Sequence, residues 1–325
     1  MTQLTYSPND VLMSSRESTS DSTARAGTNA VPGFLKYILI TPARNEESFI
    51  RLTLDSVAQQ TVKPVKWVIV SDGSTDRTDE IVKEYASCYE WIELVRMPER
   101  TERHFAGKVG CFNAGYERAK HLDHDIVGSL DADISFETGY FEFLLTKFAE
   151  DPSLGVGGTP FLEDGQTYDY RYSSIEHVSG ACQLFRRACF EEIGGYVPLK
   201  GGGIDVVAVL TARLKGWHTR TFTEMTSRHN RPMGLGNSKS KAAADFKLGQ
   251  RAYRMGWDPV WQIFRSVYQM TRKPYVMGGG ALLLGYVWAM IRHEERPVSK
   301  ELIAFQRKDQ MKRLKAALAI WKKRQ

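Results

Sequence analysis

Apolar positions follow two rhythms along this chain. Short, nearly continuous apolar runs occupy 36–41, 66–71, 91–96 and 125–130. Runs of that length, bounded by polar turns, read as buried strands. Between them, apolar residues recur at helical spacing over 45–60, 77–88, 107–121 and 137–151. In the first of these, Phe49, Leu52, Ser56 and Gln60 share one face, with Ile50, Leu54 and Val57 beside it. Asp76 or Thr75 is placed to cap the second. Alternating strands and helices predict an α/β fold with a mostly parallel central sheet covered on both faces. Such sheets bind ligands at the carboxyl ends of their strands.

After Leu154 the rhythm loosens. A strand runs into a helix over 181–196 and stops at Gly194-Gly195. A glycine-rich loop leads into a helix over 201–217, and a strand follows over 218–223. Residues 237–272 read as helical, broken at Asp258-Pro259. The stretch 275–291 is 17 residues long and carries no charge. A membrane span needs about 20 apolar residues. Arg272 and Lys273 flank one side and Arg292 and Arg296 the other, which fits neither orientation of a span. An interfacial or re-entrant helix is expected, with a buried core helix as the alternative. Farther on, Met311, Leu314, Leu318 and Trp321 recur at helical spacing among basic residues. That pattern suits an amphipathic helix on anionic lipid, or else a helix packed on the domain.

Composition adds three constraints. With 325 residues, the chain can bury a sizeable core. Its net charge of +6 is concentrated at the end: 298–325 holds nine Lys or Arg against Glu301 and Asp309. The rest is close to neutral, which argues against a nucleic-acid face and for a local electrostatic anchor. Cys88, Cys111, Cys182 and Cys189 form no CxxC pair, so a disulfide framework is not expected. Residues 1–33 are polar, lack the apolar core of a secretory signal, and read as a disordered extension.

Chemistry enters at strand ends. Asp131 and Asp133 follow the apolar run 125–130. On an extended segment, residues two apart project to one side, and two carboxylates there can hold a hard divalent cation. The alternative is a turn that caps the helix after Glu137. Asp72, in "VSDGSTDRT", ends the second strand and can accept from a nucleobase N–H or a ribose hydroxyl. Its alternative is a tight turn at Gly73.

Five segments occur in order: "ITPARNEESFI", "VSDGSTDRT", "GKVGCFNAG", "SLDADISF" and "GGYVPLKGGGIDVVAVLTARLKGW". Together they resemble glycosyltransferase family 2, inverting nucleotide-sugar transferases with the GT-A fold, over roughly residues 36–260. The nearest likeness is to bacterial members that build exopolysaccharide or other cell-surface glycans. The resemblance implies a GT-A domain over 34–236, with a nucleotide-sugar half to about 134, followed by a helical, membrane-associating region over 237–325. It implies that Asp72 binds the base and that Pro42, Ala43, Asn45 and Glu46 lie against the nucleotide. Lys108 then stands near the diphosphate. Asp131 and Asp133 become the DxD motif, the first near the ribose and a metal-bound water, the second on Mg²⁺ or Mn²⁺. Asp205 becomes the catalytic base, and His229, between Arg228 and Arg231, a metal or diphosphate neighbour. The implied donor is a UDP- or GDP-type sugar. The implied acceptor is a glycan or a lipid-linked molecule, at the cytoplasmic face of the bacterial inner membrane.

Two departures shape this picture. The family's Glu-Asp pair is Ile204-Asp205 here, and the Gln-x-x-Arg-Trp motif of processive synthases is absent. A non-processive enzyme is therefore expected. The rivals are a polyprenyl-phosphate sugar transferase of the same fold and a non-catalytic nucleotide-sugar-binding subunit. A haloacid-dehalogenase-type phosphatase is disfavoured, because its DxDxT would need Thr where Ser135 stands.

Overall fold

A computed structural model describes residues 33–98, 105–162, 174–199, 201–231, 240–272 and 275–322. Of the expected N-terminal extension, 1–33, residues 1–32 lie outside them.

The first half alternates as expected. It runs β1 (Tyr37–Ala43), α1 (Ile50–Ala58), β2 (Lys66–Ser71), α2 (Thr78–Cys88), β3 (Ile92–Arg96), α3 (Phe105–Ala119) and β4 (Ile126–Leu130). Then follow β5 (Ile134–Ser135), α4 (Tyr140–Glu150), β6 (Leu154–Gly158), β7 (Phe161–Leu162), β8 (Cys182–Arg186), α5 (Arg187–Ile193), α6 (Ile204–Leu214), β9 (His218–Thr221) and β10 (Ser227–His229). Four helices close the chain: α7 (Lys241–Arg254), α8 (Pro259–Met270), α9 (Val276–Ile291) and α10 (Lys300–Lys322).

Seven strands form one sheet in the order β3-β2-β1-β4-β8-β6-β9, and only β8 runs against its neighbours. A small second sheet, β5-β10-β7, sits beside it. Alternate residues of the central strands feed two apolar layers. Leu39 and Ile69 join Leu54, Phe141 and Phe148 on one side. Ile40, Val68 and Val70 join Phe112, Phe190 and Val209 on the other. Full burial of each such side chain contributes about 1.5–3 kcal/mol. Two large buried side chains satisfy their polar tips: the Tyr37 hydroxyl donates to the Val62 carbonyl at 2.8 Å, and Trp67 Nε1 donates to Thr41 Oγ1 at 2.9 Å.

Three local expectations need correction. The first helix begins at Ile50 rather than residue 45, because Asn45 takes a left-handed φ of 55° and starts a turn. Its buried face is Ile50, Thr53, Leu54, Ser56 and Val57, so of the expected face Ser56 is buried while Leu52 is 49% exposed. Ahead of α2 the cap position is Arg77, not Thr75 or Asp76; Asp76 instead accepts from the Thr78 N–H at 3.0 Å, one residue early.

Cys111, Cys182 and Cys189 are buried and Cys88 is exposed, all as free thiols. Burial pushes the Cys182 and Cys189 thiols up to about 12.

The basic tail helix packs on the body. Leu302, Gln306, Gln310 and Leu314 form its buried row. Asp309 pairs with Arg213 of α6 at 2.9 Å and with Arg313. The side chains of Leu318 and Trp321 lie outside the described residues. Burial raises the Asp309 carboxyl, but the two guanidinium groups outweigh it and hold it below the ordinary 3.8. A carboxyl lowered by folding stabilises above its unfolded pKa, and that contribution is lost as pH falls through the folded one. Asp309→Asn is expected to cost about 2–3 kcal/mol near pH 7 and less near pH 3, where the carboxyl begins to take up its proton. Urea melts at both pH values check it, and an equal gap at both assigns the loss to another cause.

Candidate active site

The carboxyl ends of β1, β2 and β4 carry the predicted residues, and hydrogen bonds gather them into two patches. In the first, Asn45 Oδ1 accepts from the Thr75 N–H at 2.9 Å, and the Asn45 N–H donates to Ser74 Oγ at 3.2 Å. The loops after β1 and β2 are thereby clamped. The Asp72 N–H donates to the Ala43 carbonyl at 2.8 Å, and its carboxylate lies 3.6 Å from the Arg44 guanidinium. Gly73 turns the chain with a φ of 64°. Pro42 and Ala43 pair with Val70 and Ser71, so the first loop stands directly beside Asp72. The Asp72 carboxylate and the turn at Gly73 are thus carried by separate residues.

The second patch is built around the acidic pair. The Asp131 N–H donates to the Ala181 carbonyl at 2.9 Å, carrying the β4–β8 ladder one residue past the strand. Its carboxylate is ion-paired to the Lys108 ammonium from the first turn of α3. Burial, together with the charges of Asp133 and Asp205, pushes the Asp131 carboxyl up despite Lys108. Burial works against the Lys108 ammonium, but Asp131, Asp205 and Asp133 outweigh it and raise its pKa. These groups share one electrostatic neighbourhood. Neither Asp caps α4, whose cap position is Gly139 with no side-chain bond.

The small sheet explains how His229 arrives. His229 pairs with Ile134 and Arg228 with Ser135, and the Asn230 N–H donates to the Asp133 carbonyl at 2.8 Å. His229 Nε2 consequently lies 3.8 Å from Asp133 Oδ1. Its Nδ1 faces the Arg231 carbonyl, which can only accept, so Nδ1 carries a proton and Nε2 is the nitrogen turned toward the carboxylate. Ligating histidines are oriented in this way. An imidazolium N–H satisfies Asp133 directly, and a cation held between a neutral His229 and Asp133 does so equally. The donor set therefore fits Mg²⁺ or Mn²⁺ in kind. Among the described residues, no three such ligands stand close enough together to form a complete site.

Arg231 was singled out in the sequence only as part of a basic loop. In the structure its guanidinium joins Glu46 of the first loop to Asp133, with Nε 3.0 Å from Asp133 Oδ2. Arg228, one strand position away, is exposed. No sequence spacing relates residue 46 to residue 231; only the folded sheet does.

Asp205 lies in the first turn of α6, after Gly203 in a left-handed φ of 92°. Ile204, in place of the family's Glu, is 5% exposed and belongs to the core. That departure anchors α6 instead of facing the site. Gly180, also unrecognised in the sequence, lies against Asp205: a Cβ there would lie 3.0 Å from Asp205 Oδ2 and 2.9 Å from its Cβ. Through Gly180-Ala181, one two-residue step touches both Asp205 and Asp131. Gly180→Ala is expected to lower kcat about 100-fold by displacing the carboxylate, with donor affinity unchanged. Steady-state kinetics with donor titration checks this, and a wild-type kcat removes Gly180 as a positioning residue.

Comparison with known proteins fits this geometry. Residues 38–198 match the family model "Glycosyl transferase family 2". The chain is 27% identical over 262 residues to the poly-beta-1,6-N-acetyl-D-glucosamine synthase of Staphylococcus aureus, covering 78% of this chain and 57% of that protein. It superposes on a mannosyltransferase of Pyrobaculum calidifontis, solved with GDP-Man and Mn²⁺, with a TM-score of 0.55 at 18% identity, covering 91% of this chain and 84% of that one. It also superposes on S. aureus TarS 1–349, solved with UDP-GlcNAc, with a TM-score of 0.53 at 14% identity, covering 84% and 78%. The chain spans between 15% and 57% of the length of the curated relatives it matches. Motif order, the sheet with a single reversed strand and the family match converge on one assignment: the chain belongs to glycosyltransferase family 2 and has the GT-A fold.

Proposed function

We propose that this enzyme inverts a sugar as it moves it from a UDP- or GDP-type donor to an acceptor hydroxyl, with Asp205 as general base. The observation that carries this reading is the gathering of Lys108, Asp131, Asp133 and His229 at the sheet's carboxyl edge, with Lys108 and Asp131 within the electrostatic reach of Asp205. The Asp205 carboxylate takes the proton from the acceptor hydroxyl as its oxygen attacks the anomeric carbon. The bond to the diphosphate oxygen breaks on the opposite face, so the centre inverts. Lys108 stands where negative charge grows on the leaving diphosphate. Asp133 and His229, with Asp131 beside them, would hold Mg²⁺ or Mn²⁺, which when bound supplies further charge neutralisation at the diphosphate. Asp72 receives the base, and the clamped loop of Pro42, Ala43, Asn45 and Glu46 forms the wall beside it.

The proposed setting is non-processive synthesis of a bacterial exopolysaccharide or cell-surface glycan, at the cytoplasmic face of the inner membrane. Likeness to a polysaccharide synthase supports it. The acceptor is a glycan or a lipid-linked molecule. No helix among the described residues is long and apolar enough to cross a membrane, so attachment would be peripheral or monotopic.

A panel of nucleotide sugars, each with and without Mn²⁺, tests the reading by thermal shift. A ligand at about 100 times its Kd stabilises by about 2.7 kcal/mol, worth about 4 °C for a chain of this length. One UDP or GDP sugar is expected to give that shift with metal and less without it. No shift with any member overturns the donor assignment.

A further inference from the structure

Helix α8 is inside out. Its polar residues Gln262 and Ser266 are fully buried, while Val260, Ile263 and Val267 are 56%, 52% and 56% exposed. Steps of three and four place those three on one stripe. Helix α9 repeats the arrangement. Met277, Leu284, Trp288 and Ile291 form its outer stripe and are between 49% and 70% exposed. Its inner side is fitted to neighbours by glycines: a Cβ on Gly285 would lie 2.0 Å from the Phe246 carbonyl of α7, and one on Gly279 would lie 2.3 Å from the Ser266 carbonyl of α8. On α8 polar residues face inward and apolar ones outward; on α9 glycines share the inner side with Leu282 and Tyr286 while a second apolar stripe stays outside, more apolar surface than a helix pair made for water exposes.

Charge indicates what covers the stripes. No Asp or Glu occurs between Asp258 and Glu294. Cations and aromatic rings stand at the ends: Arg272 lies 4.9 Å over the Tyr268 ring, Arg292 5.6 Å over Trp288, and Tyr275 is 54% exposed. Apolar stripes for acyl chains, aromatic rings for the headgroup level and guanidinium groups for phosphates are the chemistry of a bilayer interface. At 16 residues α9 is about 24 Å long, short of the ~30 Å hydrocarbon core, and one of its sides is held by α7. It lies along a membrane rather than through it. The basic tail is a poorer seat, since Arg307 donates to the Gly256 carbonyl at 2.9 Å and Arg313 is tied to Asp309.

We infer that the outward stripes of α8 and α9 are the surface by which this chain seats itself on an anionic phospholipid bilayer, with the exposed lysines of α10 in an auxiliary role. This rests on the membrane reading above and is independent of which sugar is transferred.

Co-sedimentation of the full chain with phosphatidylethanolamine vesicles holding about 30 mol% phosphatidylglycerol tests it. The stripe variant is Val267→Asp with Leu284→Asp and Trp288→Asp; the tail variant is Lys308→Glu with Lys312→Glu. All five positions are exposed or, for the helix stripes, face outward, and circular dichroism verifies folding. The wild type is expected to bind and to keep part of its binding in about 0.5 M salt, where exposed charges are screened. The stripe variant is expected to lose at least about tenfold in partitioning at both salts, the tail variant less than about threefold and only at low salt. A stripe variant that binds like the wild type overturns this assignment and leaves membrane attachment standing. A wild type that binds no vesicle overturns both. A wild-type dimer that the stripe substitutions convert to a monomer, without vesicle binding, makes the face a contact between copies and overturns the lipid assignment.

Discussion

Asp205→Asn is expected to bind donor as the wild type does and to transfer about 10²- to 10⁴-fold more slowly, the range a general base contributes. The substitution keeps the size of the side chain, so its contact with Gly180 and the start of α6 remain. It removes the proton acceptor. It also removes one of the charges that raise Asp131, so Asp131 becomes easier to ionise and donor-side binding is not weakened. Rapid-quench kinetics beside donor titration separates the two effects. A kcat within about threefold of wild type eliminates Asp205 as base.

Asp133→Asn is expected to remove metal-dependent transfer, a loss of about 10³-fold. The carboxylate faces His229 Nε2 across 3.8 Å and pairs with Arg231. An amide in its place binds a hard cation far more weakly. Arg231 keeps its partner Glu46, so the first loop should stay in place and the fold with it. Activity across an Mn²⁺ titration, with Mn²⁺ binding followed by electron paramagnetic resonance, gives the answer. Full activity with undiminished metal response transfers the ligand role to other residues.

The central sheet was legible because its strands are buried on both faces and read as continuous apolar runs. Asp131, Asp133 and Asp72 were legible because carboxylates at the ends of such runs are costly without a task. The small sheet was not. Its strands are two or three residues long, too short for any period, and they form by pairing with one another. It is nonetheless the element that carries His229 to Asp133 and Arg231 to Glu46. Gly180 was invisible for a related reason: its role lies in the side chain it does not have. In 237–322 the helices were legible but their facing was not. Apolar spacing reveals a stripe, and only packing tells whether the stripe of α8 turns inward or out. For α10 the packing turned Leu314 inward, onto the body.

The unequal thiols have a practical consequence. Cys88 closes α2, and a helix that leaves the carboxyl end of one parallel strand ends near the amino end of the next. Cys88 is therefore on the opposite rim of the sheet from the carboxylates, and it is exposed. Cys182 and Cys189, buried and pushed up to about 12, hold almost no thiolate at neutral pH. A maleimide dye added to the unmodified chain should report a single attachment point, remote from the chemistry and ready for fluorescence on vesicles.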